Sequence, residues 1–115
     1  LDEISWSVYP IETICAEKIH ALISHGDENS RSKDVHDLAV FLPKADGPTL
    51  EEALKKCFDF RSTDLPKSFH SEIKKLNTSR LERGWDSAVG SVANATDFKT
   101  AFNKVVKLIG ELEEK

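Results

Sequence analysis

The sequence predicts a mostly α-helical fold, a helical bundle of about five helices with one N-terminal strand or extended arm. Apolar residues recur at helical spacing along most of the chain, strand-like alternation occurs once, and helix starts and stops coincide with Pro10, Gly26 and Pro43. Residues 4–9, ISWSVY, put Ile4, Trp6 and Val8 on one face and Ser5, Ser7 and Tyr9 on the other, the period of a strand. A lone strand forms no sheet, so it is expected to lie as an arm on the helices or to pair with a sheet N-terminal to it. The chain starts at Leu1 and contains no Met, which fits a piece of a longer protein.

Pro10 suits a first helical position, and a helix is expected from Ile11 to Ser24, ending before Gly26. Beyond the polar stretch HGDENS, Val35, Leu38, Ala39 and Leu42 define a second, short helix from Ser32 to Leu42, stopped by Pro43. The short connection predicts that these two pack as an antiparallel hairpin. PTLEEALKKCFDF, residues 48–60, opens with Thr49 and Glu52 at capping-box spacing and places Leu50, Ala53, Leu54, Cys57 and Phe58 on one face. A fourth helix is expected over Ser68–Leu76 and a short one around Trp85. In the last, Thr96 is the expected N-cap, and Phe98, Ala101, Phe102, Val105, Ile109 and Leu112 form the buried face.

A chain of 115 residues, 39% hydrophobic and 31% charged, has room for one domain with a modest core. No apolar run reaches the roughly 18 residues of a membrane span and no signal-peptide pattern is present, so a cytoplasmic protein with no membrane partner is expected. Cys15 and Cys57 fall on apolar helix faces without metal-ligand spacing, which points to reduced thiols and no metal. The net charge of -4 supplies no general basic field, so any nucleic-acid contact must come from a local patch or another part of the protein. No phosphate-cradling glycine loop and no Ser/His/Asp set occurs.

Within CAEKIHAL, residues 15–22, Lys18 falls on the apolar stripe of Ile11, Ile14, Cys15, Ile19 and Leu22, where an unpartnered ammonium costs several kcal/mol. His25 returns to nearly the same angle. On the second helix Asp34 and Asp37 lie at or near the packing face, so Lys18 is expected to meet one of them across the hairpin. A purely structural explanation competes: the lysine stem can run along apolar surface to water, and Asp34 suits the helix dipole in a first turn. Arg31 and Lys33 are ordinary solvated charges by the same logic, and His20 and His36 are expected at the surface.

YPIETICAEKIHALISHGDENSRSKDVHDLAVFL, residues 9–42, resembles the part of AbiEii-type nucleotidyltransferase toxins that reads AEK-x-x-AL followed by R-x-K-D-x-x-DL. FRSTDLP at 60–66 and the GWDSAV and TDFKTAFNKVVKLI segments look like that family's helical C-terminal part. The resemblance implies a toxin of a toxin–antitoxin or phage-defence system with the nucleotidyltransferase fold. Its N-terminal sheet would carry a glycine-serine motif and paired Asp residues for Mg²⁺ and NTP, neither of which is in this sequence. No cofactor is then expected in this chain alone. Lys18, Asp34 and Asp37 would be the catalytic residues, with Lys18, Arg31 and His25 toward the nucleotide. His25 stands where the family often has arginine, and an unperturbed His is largely uncharged at neutral pH.

Partners implied by the resemblance are an NTP, an RNA acceptor, a cognate antitoxin and the sheet domain of the same protein, without which this part would be inactive. Lys18 would then be exposed or half paired in this chain, awaiting the rest of a cleft. A different class fits the same residues: a non-catalytic helical interaction module with a structural Lys18–Asp34 pair.

Overall fold

The computed structural model describes residues 10–25, 31–90 and 96–113. Among them are seven α-helices and no strand, so the mostly α expectation holds. The strand expected at 4–9 lies outside the described residues.

Helix α1 (Ile11–His25) begins directly after Pro10, whose carbonyl accepts from the Thr13 and Ile14 amides. Helix α2 (Ser32–Phe41) passes into a 3₁₀ turn over Leu42–Lys44, because Pro43 has no N–H to continue an α-helix. Helix α3 (Gly47–Phe60) is capped by Asp46, not Thr49. The Asp46 carboxylate accepts from the Thr49 amide at 3.1 Å and the Thr49 hydroxyl at 2.6 Å, and Pro48 sits in the first turn, where its missing N–H costs nothing. Helix α4 (Phe69–Lys74) is capped by Ser68 and braced by Glu113, whose carboxylate accepts from the Phe69 and His70 amides.

The stretch from 79 to 89 forms two one-turn helices, α5 (Ser79–Arg83) and α6 (Trp85–Val89), where one was expected. Helix α7 (Phe98–Glu113) follows, with Asp97 accepting from the Thr100 amide. Thr96, the expected cap, instead accepts the Trp85 indole N–H at its carbonyl, 3.0 Å away, which ties α6 to the start of α7.

Helix α1 packs against α2 and α3, while α7 lies on α2 and α4. The core between them contains Cys15, Ile19 and Leu22 from α1, Val35 and Leu38 from α2, Phe58 from α3, Ile73 from α4, and Ala101 and Val105 from α7. On α1 the buried face takes in Ala16 and His20 and leaves Ile14 half-buried, because contact with two helices turns it away from a single stripe. A groove of about 500 Å³ opens between α1, α3, α4 and α7, with Ile19, Leu54 and Ile109 among its walls.

Candidate functional site

Helix α2 is held at its start by Ser32, a fully buried residue whose hydroxyl donates to the Leu81 carbonyl of α5 at 2.6 Å. That anchor fixes the turn from which Asp34 and Asp37, three residues apart, face α1 together. Lys18 reaches them from mid-α1: its Nζ lies 2.9 Å from Asp37 Oδ2 and 3.3 Å from Asp34 Oδ1. Lys18 is therefore paired twice, and neither exposed nor half paired; its side chain keeps 22% of its surface.

The rest of the cluster completes both carboxylates. Asp34 Oδ2 lies 3.1 Å from the Arg31 guanidinium, and Asp37 Oδ1 takes Lys33 Nζ at 2.9 Å and His36 Nδ1 at 3.2 Å. Burial alone would lower the proton affinity of Lys18, but Asp37 and then Asp34 outweigh it and hold the ammonium above its ordinary 10.5. Burial alone would raise Asp37, yet the bonds from Lys33, Lys18 and His36 hold its carboxyl below the usual 3.8. Three permanent cations thus surround two carboxylates, a local excess of positive charge in a chain whose net charge is -4.

A model of the nucleotidyl transferase AbiEii toxins of type IV toxin–antitoxin systems matches residues 1–104. The chain belongs to this toxin family. Comparison with curated proteins and with solved structures gives no match. No helix among the described residues of this family member is long and apolar enough to cross a membrane.

Nucleotidyltransferases of the AbiEii family are generally metal-dependent. The cluster does not suit a metal: both carboxylates are already neutralised by Lys18, Arg31 and Lys33, and no group of three metal-ligating side chains occurs among the described residues. His25, matched to the family's arginine position, is exposed at the end of α1 and does not join the Lys18 cluster.

His36 is the residue that periodicity missed. It is not a free surface side chain: its ring lies between the Asp37 carboxylate and the Trp85 indole, 6.1 Å centre to centre, with 15% of the side chain exposed. Against a carboxylate Nδ1 must carry the proton, so the ring acts as a donor that fixes the Asp37 rotamer. His36→Ala is expected to cost about 1 kcal/mol in urea denaturation. His36→Asn, whose amide can take the place of Nδ1–H, should recover most of it.

His20 likewise departs from its expected surface position. It is 8% exposed, packs edge-on against Phe58 at 4.8 Å, and its Nε2 lies 2.8 Å from Thr63 Oγ1. The Thr63 hydroxyl also lies within bonding distance of the Arg61 carbonyl, and the Ser24 hydroxyl stands 3.5 Å from the same Nε2. Burial, then the Arg61 charge, holds His20 below the ordinary 6.5. Its contribution to stability is present above pH 6.5 and is lost as the pH falls toward its lower folded value, since only the unfolded chain takes up the proton in that range. The urea midpoint is expected to drop between pH 7 and pH 5, and His20→Gln should flatten that drop.

Burial pushes Cys15 up to about 12 and Cys57 up to about 11, which leaves both protonated at neutral pH.

Proposed function

We propose that this chain is the helical lobe of a nucleotidyltransferase toxin, in which Lys18, positioned by Asp34 and Asp37, binds the phosphates of an NTP whose nucleotide passes to an RNA acceptor. One observation carries the reading: a doubly held lysine that keeps 22% of its side-chain surface sits at the centre of a cluster with more cations than carboxylates. An ammonium has three N–H donors, and the two carboxylates use two of them. The third is available to a phosphate oxygen.

In nucleotidyl transfer an acceptor hydroxyl oxygen forms a bond to the α-phosphorus as the α–β phosphoanhydride bond breaks, pyrophosphate leaves with the bonding pair, and the hydroxyl proton passes to water. Negative charge grows on the leaving group, where a preorganised ammonium stabilises it. Asp34 is engaged by Lys18 and Arg31, which favours an orienting role over that of a proton acceptor. The family resemblance assigns the carboxylates that hold Mg²⁺ and align the hydroxyl to an N-terminal sheet lobe, so the described helices alone are expected to be inactive. The partners that follow are an NTP, RNA and a cognate antitoxin, with the cytoplasm as the compartment that supplies them.

The double pairing of Lys18 also favours a second reading, a structural bridge between α1 and α2 in a non-catalytic interaction module. Label transfer from NTPs by the intact protein separates the two. Lys18→Ala is expected to lower transfer on the order of 10²–10³-fold, the usual effect of removing one donor from developing charge. Undiminished transfer would overturn the catalytic role.

A further inference from the structure

We propose that His36, braced by Trp85, is a positioning residue that aims the Lys18 ammonium at the phosphates of the nucleotide. The inference rests on the nucleotidyl-transfer reading above and adds to it a residue that the R-x-K-D-x-x-DL pattern leaves unspecified.

Neighbouring side chains on a helix point about 100° apart, so residues at i and i+1 do not ordinarily meet. His36 and Asp37 do meet, with Nδ1 of the imidazole 3.2 Å from Oδ1 of the carboxylate. What turns the imidazole that way is α6. The Trp85 indole stands 6.1 Å from it and is itself fixed from two other sides, its N–H donating to the Thr96 carbonyl at 3.0 Å and the Phe98 ring packing edge-on at 5.6 Å. Trp85 is only 4% exposed and the His36 side chain 15%, so neither ring has room to swing.

Lys33 reaches the same Asp37 oxygen at 2.9 Å, but its side chain is 53% exposed, and a flexible lysine stem follows a carboxylate that turns. The clamped imidazole cannot follow. It holds Oδ1 on its own side and leaves Oδ2 toward α1, where that oxygen takes Lys18 Nζ at 2.9 Å, the shorter of the ammonium's two ion pairs. With Asp34 as the other fixed acceptor, the direction of the third Lys18 N–H is set. Loss of the imidazole donor leaves the charge of Lys18 in place and removes its aim.

The test uses the intact protein, α-³²P-labelled NTPs supplied one at a time and bulk tRNA as acceptor, at a temperature where circular dichroism shows every variant folded. His36→Ala is expected to lower kcat about tenfold or more while the KM for the nucleotide changes less than about threefold. His36→Asn, which keeps an N–H donor, is expected to restore transfer to within about threefold of wild type. In a Lys18→Ala background His36→Ala is expected to cost nothing further, because the group it aims is gone, whereas a loss through general destabilisation would add. A wild-type rate in His36→Ala, an equal loss in His36→Asn or a full further loss in the Lys18→Ala background would overturn the proposal. If Lys18→Ala transfers normally, or the wild type transfers none of the four NTPs, the nucleotide reading falls and this role falls with it. A loss in Lys18→Ala beside a normal His36→Ala rejects the role of His36 alone.

Discussion

Phe58→Ala is expected to remove about 3–5 kcal/mol of folding stability, a large share of the roughly 5–15 kcal/mol that holds a domain of this kind together. Phe58 is fully buried and touches two rings edge-on, His20 at 4.8 Å and Phe69 at 5.4 Å. Truncation empties the place where α1, α3 and α4 meet, and those contacts come from distant parts of the sequence that have no local means of closing the gap. Chemical denaturation of wild type and variant reads the loss. The same substitution frees one face of the His20 ring, so the drop in stability between pH 7 and pH 5 should shrink as well. A cost below about 1 kcal/mol would mean that the three helices do not share one packed core.

Asp37→Asn should have the largest effect on the charged cluster. Asp37 accepts from Lys18, Lys33 and His36, and its neutralisation leaves Lys18 and Arg31 to share Asp34 and Lys33 without its carboxylate. The expected cost is about 2 kcal/mol, less than the 3–5 of a fully buried pair because solvent reaches the lysine and Asp34 still holds it. The pH dependence identifies the cause. Asp37 is depressed in the folded chain, so its contribution is present above pH 3.8 and lost as the pH falls through its lower folded value. Wild type and variant should therefore converge in acid. At the alkaline end the raised Lys18 contributes below pH 10.5 and loses its contribution as the pH rises through its folded value. Both limbs are measurable by urea midpoints across pH.

Much of the bundle was legible in the amino-acid pattern. Long helices carry enough turns for the period to show, and α1 and α7 lie where Ile19, Leu22, Phe102 and Val105 require. One turn of helix shows no period, so α5 and α6 were read as a single element around Trp85. Caps were misjudged where two good candidates stand close together: Asp46 and Asp97 take the place of Thr49 and Thr96 because the helix begins nearer to them.

The candidate site divides in the same way. Lys18, Asp34 and Asp37 could be placed together because each sits on a facing helical stripe at short sequence separation. His20 was misplaced because what buries it comes from far along the chain, Thr63 and Phe58. His36 was missed for the same reason, since Trp85 closes over it from α6.

The decisive experiment measures nucleotide transfer and thermal stability on the same preparation of intact Lys18→Ala protein. A lysine that serves the phosphates predicts a loss of transfer of about a hundredfold or more at temperatures where the variant is fully folded. Transfer at the wild-type rate, with the melting point lowered as expected for a broken ion pair, would contradict it and leave Lys18 as a bridge between two helices.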